Sequence, residues 1–133
     1  TGDLIPDGES ITEELNITYC GYVKDNAVQP VDPAPDSPVL LLGDSHTLVF
    51  QEGKNRGLHC RGAGLFDQLS MESGFALDLV GVRGSALRAA RVSAFQKARS
   101  NPEFWATKKL VVWVFTIREA TQSMDQLVEI PLP

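Results

Sequence analysis

VLLLGDSHTLVF, Val39 to Phe50, sets a run of apolar residues against an abrupt polar stop at Gly43-Asp44-Ser45-His46. A short, unbroken apolar run closed by turn residues reads as a strand buried on both faces, as in a parallel sheet. Two readings of its ending are open. It is either a strand-to-helix turn capped by Asp or Ser, or a serine presented outward on a rigid base, ready to attack an ester carbonyl. Gly43 permits a close backbone turn, and Asp44 can hydrogen-bond across it.

The pattern repeats downstream. GLFDQLSMESG places Leu65, Phe66, Leu69 and Met71 near helical spacing, with Gly74 as a stop. FALDLVGVRG reads as a second strand ending in glycines. SALRAARVSAFQKARSNPEF puts Leu87, Ala90, Ala94 and Ala98 along one face, widened by Val92 and Phe95, with Arg88, Arg91 and Lys97 opposite. That is an amphipathic helix, with Ser85 as its N-cap and Asn101-Pro102 past its end. KKLVVWVFTI reads as a third buried strand, with Trp113 packed in the core, and Trp105 also reads as packing. The order strand, helix, strand, helix, strand predicts an α/β domain with a parallel sheet and right-handed crossovers. The three strands end in Asp44-Ser45-His46, Arg83-Gly84-Ser85 and Arg118-Glu119. Parallel strands bring those ends to one edge, where open α/β sheets bind ligands.

Upstream, prolines 30, 33, 35 and 38 make an extended connector. Ile17–Val23 and Ala27–Val31 flank a Lys-Asp-Asn turn and read as a hairpin or a pair of edge strands. Residues 1–38 thus form an N-terminal extension and 39–133 the α/β domain, one compact unit of 133 residues overall. Three strands leave sheet edges that need cover, and QLVEIPLP near the C-terminus is one candidate edge strand.

Composition excludes several classes. The net charge of −5, without a basic cluster, disfavours nucleic acid and anionic lipid as partners. No apolar stretch is long enough for a transmembrane helix, and the polar first residues carry no signal-peptide core. Two histidines and two cysteines lack metal-ligand spacing, so no metal and no cofactor is expected. Cys20 and Cys60 allow one bridge, and two separate thiols fit the count equally well.

VLLLGDSHTLVF is similar to the first motif of the SGNH (GDSL-type) hydrolases, whose serine is the nucleophile. LDLVGVRGSA resembles their second motif, with Gly84 at the oxyanion glycine, and VVWVFTIREAT matches the third with Arg118-Glu119 in place of Asn-Asp. With GAGLFDQLS and GSALRAAR in order between them, Val39 to Thr121 resembles the alginate O-acetyltransferase-like branch. The resemblance implies a small three-layer, SGNH-hydrolase-like (flavodoxin-like) domain with a central parallel sheet. It also implies a periplasmic or cell-envelope setting and chemistry on O-acetyl esters of a polysaccharide.

In that reading Ser45 is the nucleophile and His46 a candidate base. The Ser45 and Gly84 N–H groups form the oxyanion hole, and Asp44 and Arg118 play supporting roles. The sequence departs from the family at the base. No histidine precedes Ser45, and none follows His59, where that branch and the wider superfamily respectively place an Asp–His motif. The family's usual base therefore lies in sequence outside this chain, or the domain lacks the usual catalytic dyad. The alternative is a non-catalytic or incomplete domain that binds glycan, a partner protein or another part of a parent chain.

Overall fold

The computed structural model describes Glu14, residues 16–51, Cys60, residues 62–83, residues 86–117 and Thr121, the side chains of 86 and 87 excepted. It is a mixed α/β structure. β1 (Tyr22–Lys24) and β2 (Ala27–Gln29) form a hairpin. β3 (Val39–Gly43) is followed by α1 (Leu65–Ser73), β4 (Asp78–Gly81), α2 (Ala86–Ser100), the short α3 (Phe104–Thr107) and β5 (Leu110–Val114). The hairpin is shorter than its sequence pattern, and its two turn residues explain where it reverses. Asp25 and Asn26 both adopt positive φ, 51° and 59°, the twist that tight two-residue hairpins require.

β3 is the centre of a three-stranded parallel sheet ordered β4-β3-β5. Alternate residues of the strand serve opposite layers. Leu40 and Leu42 pack with Val80, with Ala90, Ala94 and Ala98 of α2, and with Phe104. Leu41 packs with Phe66 of α1 and with Leu77, flanked by Leu69, Val31 and strand residues including Val112. Helices thus cover both faces, and the small alanines let α2 lie close over β3 and β4. The chain goes from β3 to β4 across one face and from β4 to β5 across the other, so both crossovers share one hand. Strand order reverses at β3.

α1 is less amphipathic than its sequence suggests. Phe66 is buried, whereas Leu65 and Met71 are exposed. Polar Asp67 and Ser70 are buried instead. Asp67 Oδ2 accepts from Gly64 N–H at 3.0 Å, closing the helix start, and Ser70 Oγ accepts from Leu77 N–H at 3.3 Å. Gly74 ends the helix as expected, left-handed at φ 75°, with its N–H directed to the carbonyls of Ser70 and Met71.

The third strand is a correction. β5 pairs only with β3 among the described residues and forms an edge, with Leu110, Val111, Phe115 and Ile117 exposed. Trp113 is 38% exposed and packs edge-on against Phe115, with ring centroids 5.7 Å apart, rather than filling the core. Apolar character along a strand does not distinguish an edge from a centre. Trp105 does pack against the core, edge-on to Phe104. Among the described residues no helix is long and apolar enough to cross a membrane.

The amino end of the sheet holds a buried ion cluster. Asp78, fully buried at the start of β4, meets Lys97 Nζ at 2.6 Å and Lys108 Nζ at 3.1 Å. Lys108 Nζ also donates to the Pro35 and Ser37 carbonyls, so the proline-rich connector is tied to the start of β5. Removing one member of such a cluster strands the others without compensation. Asp78→Ala should therefore cost about 3–5 kcal/mol in chemical denaturation, whereas a surface change such as Glu103→Ala should cost well under 1 kcal/mol.

Candidate functional site

The site grows from the carboxyl end of β3. After Gly43 the chain enters a run of tight turns rather than a regular helix. Thr47 N–H donates to the Asp44 carbonyl, Leu48 to Ser45, Val49 to His46 and Gln51 to Leu48, at 3.0–3.4 Å. Among the described residues the next regular helix starts at Leu65.

The turns fold back onto the sheet because both strand ends lack side chains. A Cβ on Gly43 would overlap Thr47 Oγ1 and sit 2.8 Å from the Val114 carbonyl oxygen. One on Gly81 would overlap Leu48, at 2.7 Å from its Cγ. Gly43 and Gly81 are in register across β3 and β4, so one turn covers both.

Asp44 organises this end. Its carboxylate is buried, and Oδ1 accepts from His46 N–H at 2.9 Å, an N-cap on the turn. Oδ1 also lies 3.3 Å from His46 Nδ1. Oδ2 accepts from Thr116 N–H at 3.3 Å, two residues beyond β5. One side chain therefore caps the turn, orients an imidazole and ties together the chain ends of β3 and β5. The cap expected from sequence is present, and it coexists with an orienting contact that a cap alone does not need.

Ser45 is half-buried between these two residues, and its N–H has no acceptor among the described residues. His46 is 62% exposed, with Nδ1 on Asp44 and Nε2 left as the nitrogen available to other groups. No hydrogen bond joins Ser45 Oγ to His46. The structure thus brings Asp44, Ser45 and His46 together at the strand end but does not bond the hydroxyl to the imidazole.

Gly84, Arg118, Glu119 and His59 lie outside the described residues. β4 runs on past Gly81 alongside the end of β3, since Val82 N–H donates to the Gly43 carbonyl at 3.1 Å. Arg83 reaches back over the same turn, with Nη2 3.2 Å from the Leu48 carbonyl. Two participants were not singled out from sequence. Thr47 is fully buried with its Oγ1 unpartnered among the described residues, and Thr116 contributes only its backbone. The position of Thr47, three residues past a capping Asp, was the available signal for the first. Nothing in a backbone donor marks the second.

Among the described residues no group of His, Cys, Asp and Glu is arranged to hold a metal ion. No family model, curated protein or solved structure matches the chain.

The double duty of Asp44 gives a graded expectation. Asp44→Ala removes the cap and the tie to Thr116, and should lower stability by about 2 kcal/mol in urea unfolding. Asp44→Asn keeps one acceptor oxygen and should cost about half as much. Gly43→Ala should destabilise by at least about 2 kcal/mol, because the turn must lift from the sheet to admit a methyl group.

Proposed function

We propose that the chain is an SGNH-hydrolase-like domain of the alginate O-acetyltransferase-like kind, acting on O-acetyl esters of a cell-envelope polysaccharide through an acetyl-Ser45 intermediate. The observation that carries this reading is the placement of Ser45. It leaves the carboxyl end of the central strand, where strand order reverses, on a turn seated against the sheet and with its own N–H unpaired among the described residues. Ligands in open parallel α/β sheets gather at that place. A serine there can attack an acetyl carbonyl while its N–H meets the developing oxyanion, and Gly84 N–H is the second donor in this reading.

His46 takes the serine proton. Asp44 holds its Nδ1, which leaves Nε2 as the accepting nitrogen. With no direct bond between the two side chains, the proton passes through one intervening water, a distance general-base catalysis tolerates. The donor alcohol leaves with that proton, returned by His46, so the imidazole is neutral again. Acetyl-Ser45 then gives its acetyl group to a sugar hydroxyl or to water. His46 takes the acceptor's proton and returns it to the departing Ser45 oxygen. Arg118, from the chain beyond β5, supplies positive charge to the acyl oxygen or to a sugar carboxylate. The setting in this reading is the periplasm or cell envelope.

A second reading is an incomplete domain that binds glycan or a partner protein without chemistry. The lack of a hydrogen bond between Ser45 Oγ and an imidazole among the described residues favours it.

Incubation with 4-nitrophenyl acetate separates the two. Catalysis predicts a burst of nitrophenolate, lost in Ser45→Ala and slowed about 100-fold or more in His46→Gln. Turnover indifferent to Ser45→Ala, or none at all, would count against it. Binding of an acetylated polysaccharide that survives Ser45→Ala, without ester cleavage, would establish the second reading.

A further inference from the structure

We propose that Cys20 and Cys60 close an intrachain disulfide that pins the N-terminal extension to the turn entering α1. The inference is independent of the acyl chemistry. The two cysteines are the only ones in the chain, and both are free thiols here, Cys20 buried and Cys60 half-buried.

Although 40 positions apart in sequence, they belong to segments that touch. Cys20 N–H donates to the Gly62 carbonyl at 2.6 Å, and Gly62 is two residues past Cys60. The same turn is closed by Ala63 N–H donating to the Cys60 carbonyl at 3.1 Å. Gly62 makes the approach possible. Its φ is 98°, and a Cβ there would lie 2.8 Å from Tyr19 Cζ and 3.0 Å from the Cys20 carbonyl oxygen. Gln68 Nε2, one turn into α1, adds a bond to the Thr18 carbonyl at 3.1 Å. Residues 18–20 are therefore held along 62–68 by backbone and side-chain bonds that do not involve sulfur. A disulfide needs Cα atoms within about 4.4–6.8 Å. The bond from Cys20 to Gly62 sets Cys20 against the turn that Cys60 opens, so closing the bridge asks for adjustment of that one turn.

The chemistry balances with a small disulfide as oxidant. The accessible Cys60 thiolate attacks oxidised glutathione, forming a mixed disulfide and releasing one glutathione thiolate. The Cys20 thiolate then attacks the Cys60 sulfur, forming the protein disulfide and releasing a second. The two protons from the cysteine thiols go to the two departing glutathiones.

The staple has a consequence for the candidate site. The turn it holds leads through Gly64, where a Cβ would lie 3.1 Å from the Val49 carbonyl oxygen, onto the 44–51 turn that carries Ser45. Oxidation thus anchors one wall of that turn to the extension.

Equilibration of the native protein with a glutathione redox buffer, followed by thiol alkylation and intact-mass measurement, tests the proposal. The expected product is a monomer lighter by two hydrogens, without alkyl or glutathione adducts, and with a melting temperature about 10 °C above that of the reduced form. Cys60→Ser should abolish that increment while keeping the melting temperature of the reduced wild type. This variant matters because Cys20→Ser also perturbs a buried site. Two alkylated thiols, two stable glutathione adducts or a disulfide-linked dimer would each overturn the proposal.

Discussion

The carboxyl end of the sheet depends on the absence of two side chains. β3 and β4 both finish in glycine, in register, and the turn after β3 uses the space to lay Thr47 and Leu48 directly onto the strand ends. A side chain at either position would push the turn away, and with it Ser45, His46 and the carboxylate that holds them. Close packing makes this a steric condition rather than a preference, because an interior at crystalline density has no slack for a methyl group.

Electrostatics secures the two ends of the sheet in different ways. At the amino end, Asp78, Lys97 and Lys108 form an ion cluster around a fully buried carboxylate, and Lys108 also gathers connector carbonyls. It ties β4, α2, the start of β5 and the connector to one another. At the carboxyl end Asp44 also binds chain groups, His46 N–H and Thr116 N–H, yet it leaves an exposed imidazole with one nitrogen oriented and the other available. Apolar burial on β3 holds the strand itself, at about 1.5–3 kcal/mol for each fully buried leucine.

Much of this frame was legible in the sequence, for physical reasons specific to each element. The apolar run of β3 announced burial on both faces, and the alanines at 90, 94 and 98 announced the close face of α2. Gly74 and the Asp25-Asn26 turn were readable because each backbone shape favours few residue types. The exposure of β5 was hidden, since Val111 and Trp113 carry the same hydrophobicity at an edge as in a core. Asp78 and Lys108 were hidden for the opposite reason. Charged residues read as solvated, and only the fold brings the two together inside. At the candidate site, Asp44 and Ser45 were readable from the abrupt stop after Leu42. The bond from Thr116 to Asp44 was not, because it depends on which strand becomes the neighbour of β3. Gly84 and Arg118 lie outside the described residues, so their parts in the proposed site rest on the motifs alone.

A nucleophile is the feature that separates the proposed acyl chemistry from a capped turn of the same shape. Mapping a fluorophosphonate label tests that distinction most directly, because such reagents phosphonylate activated serines and leave ordinary hydroxyls untouched. The account predicts one adduct per chain, on the peptide that holds Ser45. An unlabelled protein, or an adduct on any other residue, would contradict it.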